Sequence, residues 1–324
     1  MNINDRNIKI WSTIGARATL GIAALELAKE IDNLMILTCD VSTSAGLDRF
    51  RKTHPEKYLD LGIAEQNMIG VAAGLASENF NVITTTFAPF QTMRCCEQIK
   101  VNLGYMGQKI CMVGIASGLA LGTLGYTHCC IEDVSIMRSI PGITVISPAD
   151  SGATIKAVLA AIEHDQSVYI RLTGGTPNPS VYLDDFDFTI GKANILREGN
   201  HLAIIACGTM VNNALEAANI LKNEKIGASV IDMHTIKPID VDILDKISKS
   251  HDLIVTVEEH SIIGGLGSAV AEYISENQPT ILRRVGVRDR FGESGQAEEM
   301  LDLLNISTKD IIGAALEIAN KTSD

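Results

Sequence analysis

At 324 residues and a formal net charge of -12, the chain exceeds what one hydrophobic core commonly serves, so two domains of about 100 to 200 residues each are expected. No basic run offsets the acidic balance, which excludes the charge pattern that nucleic acid or an anionic lipid surface requires. A hydrophobic fraction of 46% with only 4% aromatic residues suits helices packed closely on buried parallel strands, and the fold class expected is α/β, with a mainly parallel sheet flanked by helices in each of two domains.

Between Thr13 and Asp32 the apolar residues Leu20, Ala24, Leu27, Ala28 and Ile31 recur at helical spacing, and Leu34 to Cys39 then forms a short apolar run ending at Asp40. That pattern predicts a helix feeding a buried strand. It continues with helices near 65–77 and 90–102, strands near 81–85 and 109–115, strands at 144–146 and 168–172, and a helix at 150–164 between the last two. Repeated β-then-α units imply parallel pairing with helices on both faces. Turn formers crowd residues 173 to 180 and an acidic stretch follows, so the expected organisation is a first domain at 1–175, a linker at 176–188 and a second, smaller α/β domain at 189–324. In the second domain, strands are expected at 202–207, 228–232 and 253–257, with helices at 212–223 and 241–250. Its Gly264-Gly265-Leu266-Gly267 stretch before a helix suits either a phosphate cradle or a close helix-to-strand turn.

Seven cysteines, at 39, 95, 96, 111, 129, 130 and 207, show no C-x-x-C pair and no zinc spacing, so buried reduced thiols and no metal ligands are expected. Met1 to Trp11 lacks an apolar core of the signal-peptide kind, and no run approaches the roughly 18 apolar residues of a membrane span. A soluble cytoplasmic protein is the expectation.

Three segments carry candidate chemistry. Glu65 stands in Tyr58-Leu-Asp-Leu-Gly-Ile-Ala-Glu-Gln-Asn-Met68, where a strand passes into an apolar helix; on pattern alone such a carboxylate is a dipole partner worth about 0.3 to 1 kcal/mol. Phe87 and Phe90 stand in Thr86-Phe-Ala-Pro-Phe90, and phenylalanines at a strand end are ordinarily core. His128 lies in Gly125-Tyr-Thr-His-Cys-Cys-Ile-Glu-Asp133. Together these segments resemble the glutamate motif, the paired phenylalanines and the G-x-T-H-x-x-x-E-D run of the transketolase family, over nearly the whole chain but only over the C-terminal section of a full-length transketolase.

The resemblance implies a pyrimidine-binding thiamine-diphosphate fold followed by a transketolase C-terminal-like domain. It assigns Glu65 to the ring nitrogen of the cofactor's aminopyrimidine, a task for a carboxyl group sharing a proton with a weak base in a dry site. Phe90 stacks on that ring with Phe87 in support, and His128 faces the substrate oxygens as hydrogen-bond donor and proton carrier. Arg17, Ser44 and Arg171 resemble substrate-phosphate contacts, an arginine being suited by its planar fork, and Asp40 matches an acid near the cofactor. Arg94 resembles an arginine of the deoxyxylulose-phosphate synthase branch and is not carried into the site. The G-D-G and N-N segment that holds magnesium and the diphosphate has no counterpart here, so the resemblance implies Mg2+ ligands from a separate diphosphate-binding subunit, an α2β2 assembly, and ketol transfer between sugar phosphates only in the mixture.

Two positions depart from the family. A histidine twelve residues before His128 and an aspartate four residues before it are replaced by Ala116 and Leu124, so a site built for the usual sugars loses polar partners that discriminate hydroxyls. Other readings are the beta subunit of a 2-oxo acid dehydrogenase, a deoxyxylulose-phosphate-synthase-like enzyme, and, from another class, a silent scaffold or regulatory homologue. The last is favoured by Ala116 and Leu124 and opposed by the retention of Glu65, Phe90, His128 and both arginines.

Overall fold

A computed structural model describes residues 4–174 and 178–321. The helix Asp5–Glu30 starts at Asn4, whose side chain accepts from the Asn7 N–H at 3.0 Å, and it is interrupted at Gly15, where φ is 80°. Among the described residues twelve strands follow in chain order: β1 (Leu34–Thr38), β2 (Tyr58–Asp60), β3 (Asn81–Phe87), β4 (Cys111–Ser117), β5 (Ile143–Ile146), β6 (Ser167–Thr173), β7 (Asn194–Arg197), β8 (Leu202–Ala206), β9 (Ala228–Asp232), β10 (Thr235–Lys237), β11 (Leu253–Ser261) and β12 (Ile281–Val287).

They form a seven-stranded sheet, β10-β5-β6-β4-β3-β1-β2, and a five-stranded sheet, β12-β11-β8-β9-β7. Both are parallel except at one edge each, where β10 runs against β5 and β7 against β9. The fully buried runs of β4, β6, β8 and β9 explain the parallel centre: each is covered by helices on both faces and carries no polar alternation. One apolar cluster runs from Leu37, Met68 and Met112 through Val145 and Tyr169 into Ile205, Ile231 and Ile254, so the two sheets share a core.

Some expected elements differ. In place of one helix near 90–102 there are short helices at Ala88–Gln91 and Cys96–Gln98 and a π turn at Ile99–Tyr105, closed by the Met106 N–H on the Val101 carbonyl at 2.9 Å. Pro89 sits in the first turn of Ala88–Gln91, where its missing N–H costs nothing, and the helix stops at Thr92, after which the backbone turns before helix resumes at Cys96. Residues 176 and 177 of the expected linker lie outside the described residues; the remainder has neither helix nor strand but is tied down, with Asp150 accepting from the Val181 and Tyr182 N–H groups at 2.8 and 3.0 Å. At 264–267 the turn reading holds: the Glu258 carboxylate takes the Leu266 and Gly267 N–H groups at 2.7 and 2.8 Å, so protein already occupies the place of a phosphate. Among the described residues no helix is long and apolar enough to cross a membrane.

Candidate active site

Four adjacent strands of the larger sheet, β4-β3-β1-β2, deliver the candidate residues from their carboxyl ends, the edge at which open α/β sheets bind ligands. Asp40 follows β1, Glu65 follows β2, Phe87 ends β3 with Phe90 three residues on, and His128 rides the loop after β4. Two of these ends carry non-glycine residues in left-handed backbone, Asp40 at φ 57° and Ala116 at φ 51°, a conformation that persists only where surrounding structure holds it.

Glu65 opens the helix Glu65–Ser77 and is buried, its side chain 4% exposed. Phe87 and Phe90 meet edge to face with centroids 6.3 Å apart, and the His128 ring lies 5.5 Å from Phe90 and 6.2 Å from Phe87, also on edge. Residues distant in sequence thus form one cluster of a carboxylate, two phenyl rings and an imidazole. The loop bearing His128 is closed by a two-way backbone bridge between Gly118 and Cys130, both bonds at 2.8 Å, and the imidazole Nδ1 shares a hydrogen bond with the Thr127 hydroxyl at 3.0 Å. The second half of the chain buttresses the same loop: Phe291 packs edge-on to Tyr126 at 5.4 Å, and the Gly295 N–H donates to the Gly122 carbonyl at 3.2 Å.

Arg94, left out of the expected set, belongs to this cluster. Its Nη1 lies 2.7 Å from Glu65 Oε2, and its guanidinium carbon sits 4.0 Å over the Phe90 ring. The sequence signal was a cation four residues beyond an aromatic in a stretch expected to be one helix; the structure makes the contact instead across the turn between the helices Ala88–Gln91 and Cys96–Gln98.

Other candidates lie outside this set of mutual contacts. Asp40 is exposed, and its N–H donates to Asp60 Oδ1 at 3.0 Å; Asp60, another residue not singled out, is held below the usual carboxylate range, burial working against the shift and the N–H groups of Asp40 and Gly62 driving it. Arg17 and Ser44 are both half-buried, and the Arg17 backbone packs on Gly46, two residues beyond Ser44, where a Cβ would meet the Arg17 carbonyl at 2.6 Å.

Arg171 requires a correction. It is 2% exposed rather than open to a crevice, with Nε on Asp133 at 2.9 and 3.1 Å, Nη1 on the Thr173 hydroxyl at 2.9 Å, and Nη2 on the Cys130 and Glu259 carbonyls at 3.2 and 2.8 Å. A guanidinium committed to buried protein acceptors on both halves of the chain is not offered to a phosphate. The cysteines beside His128 are also accounted for. All seven are free, and burial pushes the Cys129 thiol up to about 11 and that of Cys130 well above its ordinary value, so neither is a thiolate nucleophile at neutral pH.

Residues 12–176 match the family model described as the transketolase pyrimidine-binding domain, and residues 191–311 match that of the transketolase C-terminal domain. The chain belongs to the transketolase family. It is 42% identical over 299 residues to the 6-deoxy-6-sulfo-D-fructose transketolase subunit SqwH of Clostridium sp. (strain MSTE9), covering 92% of each chain. A putative transketolase C-terminal section from Methanocaldococcus jannaschii is 40% identical, covering 95% of this chain and 97% of that one. Among solved structures, one described as a split gene transketolase, inactive beta4 tetramer, superposes with a TM-score of 0.88 at 37% identity, covering 95% of this chain and 99% of its own. Against the rat transketolase, 33% identical, this chain spans 51% of the length. In this transketolase-family chain, Glu65, Phe90 and His128 all fall within the segment matched by the pyrimidine-binding model.

Proposed function

We propose that this chain is one half of a split, thiamine-diphosphate-dependent transketolase, which moves a two-carbon ketol unit from a ketose phosphate or comparably anionic ketose to an aldose. A separate diphosphate-binding subunit completes the site in an α2β2 assembly and brings the Mg2+ ligands. The observation that carries the reading is the convergence of Glu65, Phe90 and His128, from two helix starts and a loop, on one place. That place fits the pyrimidine end of the cofactor: a buried carboxylate stands beside a phenyl ring whose face already takes a planar, nitrogen-bearing group, the Arg94 guanidinium.

What the cofactor supplies when bound is an electron sink for breaking and remaking a carbon-carbon bond beside a carbonyl. In this proposal Glu65 holds a proton at the ring nitrogen it faces, Phe90 sets the plane of the ring, and Phe87 backs His128 from its edge. His128 donates to the substrate oxygen and moves a proton at that atom. Glu65 and His128 are the proposed catalytic residues, Glu65, Phe87, Phe90 and Asp40 the proposed cofactor contacts, and His128, Arg17 and Ser44 the proposed substrate contacts.

Several observations support the finer points. Relatives are named for uncommon sugars, sulfofructose in one and apulose-4-phosphate in another, a transketolase chain of Phocaeicola vulgatus at 37% identity; Ala116 and Leu124 agree with a substrate outside the usual set. The free cysteines support a reducing, cytoplasmic setting. We place the domains at 1–175 and 189–324 with 176–188 between them.

The test is calorimetric titration of thiamine diphosphate and Mg2+ into this chain, its partner subunit and the mixture, with ketol transfer assayed in parallel. Cofactor binding and transfer in the mixture alone, with transfer cut at least about 100-fold by Glu65→Gln, are the expected results. A stable mixture that binds no cofactor would give the scaffold reading the lead.

A further inference from the structure

We infer that Arg94 is an internal stand-in for the cofactor's pyrimidine, occupying that ring's place in the free chain and leaving it when the cofactor arrives. The inference rests on the proposed function for the identity of the displaced ring, but the occupancy is read from the geometry of this chain.

A pyrimidine held by this site needs two things at once, a flat face to stack on and a carboxylate at its edge. One side chain takes both. The Arg94 guanidinium is planar, its carbon lies 4.0 Å over the Phe90 ring, and one of its edge N–H groups points at Glu65 Oε2, 2.7 Å away. Shape, charge and donor position are those of a protonated nitrogen heterocycle.

The arrangement answers a difficulty of a separated half-enzyme. Glu65 is buried, and a buried carboxylate left without a partner is strongly disfavoured; Arg94 neutralises it while no cofactor is bound. The arginine is also free to leave. Its side chain is 41% exposed, whereas its backbone is fixed by its N–H on the Pro89 carbonyl at 3.3 Å and by the Gln66 amide donating to its own carbonyl at 3.1 Å. Displacement is thus a side-chain swing into solvent with no movement of the loop.

Two consequences separate this role from a merely structural one. Arg94 competes with the pyrimidine, so removing it strengthens binding, where the loss of a supporting residue would weaken it. Affinity in the wild type is lowered by the fraction of time the place is filled, a cost that the contacts of the partner subunit must overcome. Lysine at this position keeps the charge but not the plane and should compete less well.

The experiment titrates thiamine diphosphate with Mg2+ by calorimetry into the full chain mixed with its diphosphate-binding partner, as wild type, Arg94→Ala and Arg94→Lys, and titrates thiamine itself into each chain alone. The expected result is binding about 10-fold tighter in Arg94→Ala, with Arg94→Lys between it and the wild type, and thiamine binding by the isolated chain detectable in Arg94→Ala first. Wild-type binding with an equal or weaker Arg94→Ala and Arg94→Lys overturns the stand-in role and leaves the proposed function intact. Absence of cofactor binding in every mixture overturns both.

Discussion

Replacing Arg171 by methionine distinguishes its buried place from the phosphate contact expected of it. The substitution keeps much of the volume and removes the charge, leaving Asp133, 0% exposed, with the Tyr169 hydroxyl at 2.7 Å as donor. His260 is the nearest group able to compensate, 3.9 Å away, but burial pushes its imidazole down to about 4, so it is neutral at pH 7 and brings no positive charge. Breaking a buried ion pair by removing one partner costs about 3 to 5 kcal/mol, and the Cys130 and Glu259 carbonyls lose a donor as well. Guanidinium denaturation followed by circular dichroism should show that loss, and adding Asp133→Asn, which removes the stranded charge while still accepting from Tyr169, should recover at least half of it. A cost under about 1 kcal/mol with a raised KM for the sugar phosphate would refute the structural assignment and restore the phosphate contact.

Phe90→Ala removes the stacking face and should weaken cofactor binding in the mixture by about 10-fold, as read by calorimetry, with little change in unfolding midpoint because the ring is only half-buried. His128→Ala should lower kcat by about 100-fold or more while leaving cofactor affinity within about 2-fold, the signature of a group that acts on the reacting atoms. Burial pushes Asp232 up to about 7 from an ordinary 3.8, its Oδ2 accepting from the Tyr182 hydroxyl at 2.7 Å. A folded pKa above the unfolded one contributes stability that is complete below about pH 4 and is lost as pH rises to 7, so Asp232→Asn should be more stable than wild type at pH 8, by up to about 4 kcal/mol, with the gap closing toward pH 4 in denaturation curves. Alanine at Gly118, where φ is 64° and a Cβ would collide with the Glu259 carboxylate, should lower the unfolding midpoint by several degrees in calorimetry.

The central strands were legible because burial on both faces writes an uninterrupted apolar run, as in Cys111–Ser117 and Leu202–Ala206. Strands β7, β10 and β12 were not: they lie at sheet edges, β7 and β10 are short and pair with strands distant in sequence, and β12 is part-exposed over its first residues. Glu65, Phe90 and His128 could be named as candidates, but no spacing along the chain says that they meet; only the order of four adjacent strands does. The position of Arg171 was hidden for a related reason. Its partners are Asp133, on a helix 38 residues earlier, and the Glu259 carbonyl, 88 residues later, and an arginine at a strand end looks the same in sequence whether it faces a ligand or a buried carboxylate.

Strand β10 has a bearing on how the chain is made. Residues Thr235 and Lys237 pair with Ile146 and Val145, so the first sheet receives its outermost member from polypeptide that leaves the ribosome long after the rest of that sheet. Until then the edge of β5, an apolar Ile-Thr-Val-Ile strand, is an open template for any extended segment, including another nascent copy. A fragment ending near residue 175 would keep that edge permanently. A cut between the two halves of this chain would leave a sheet that only association in trans closes.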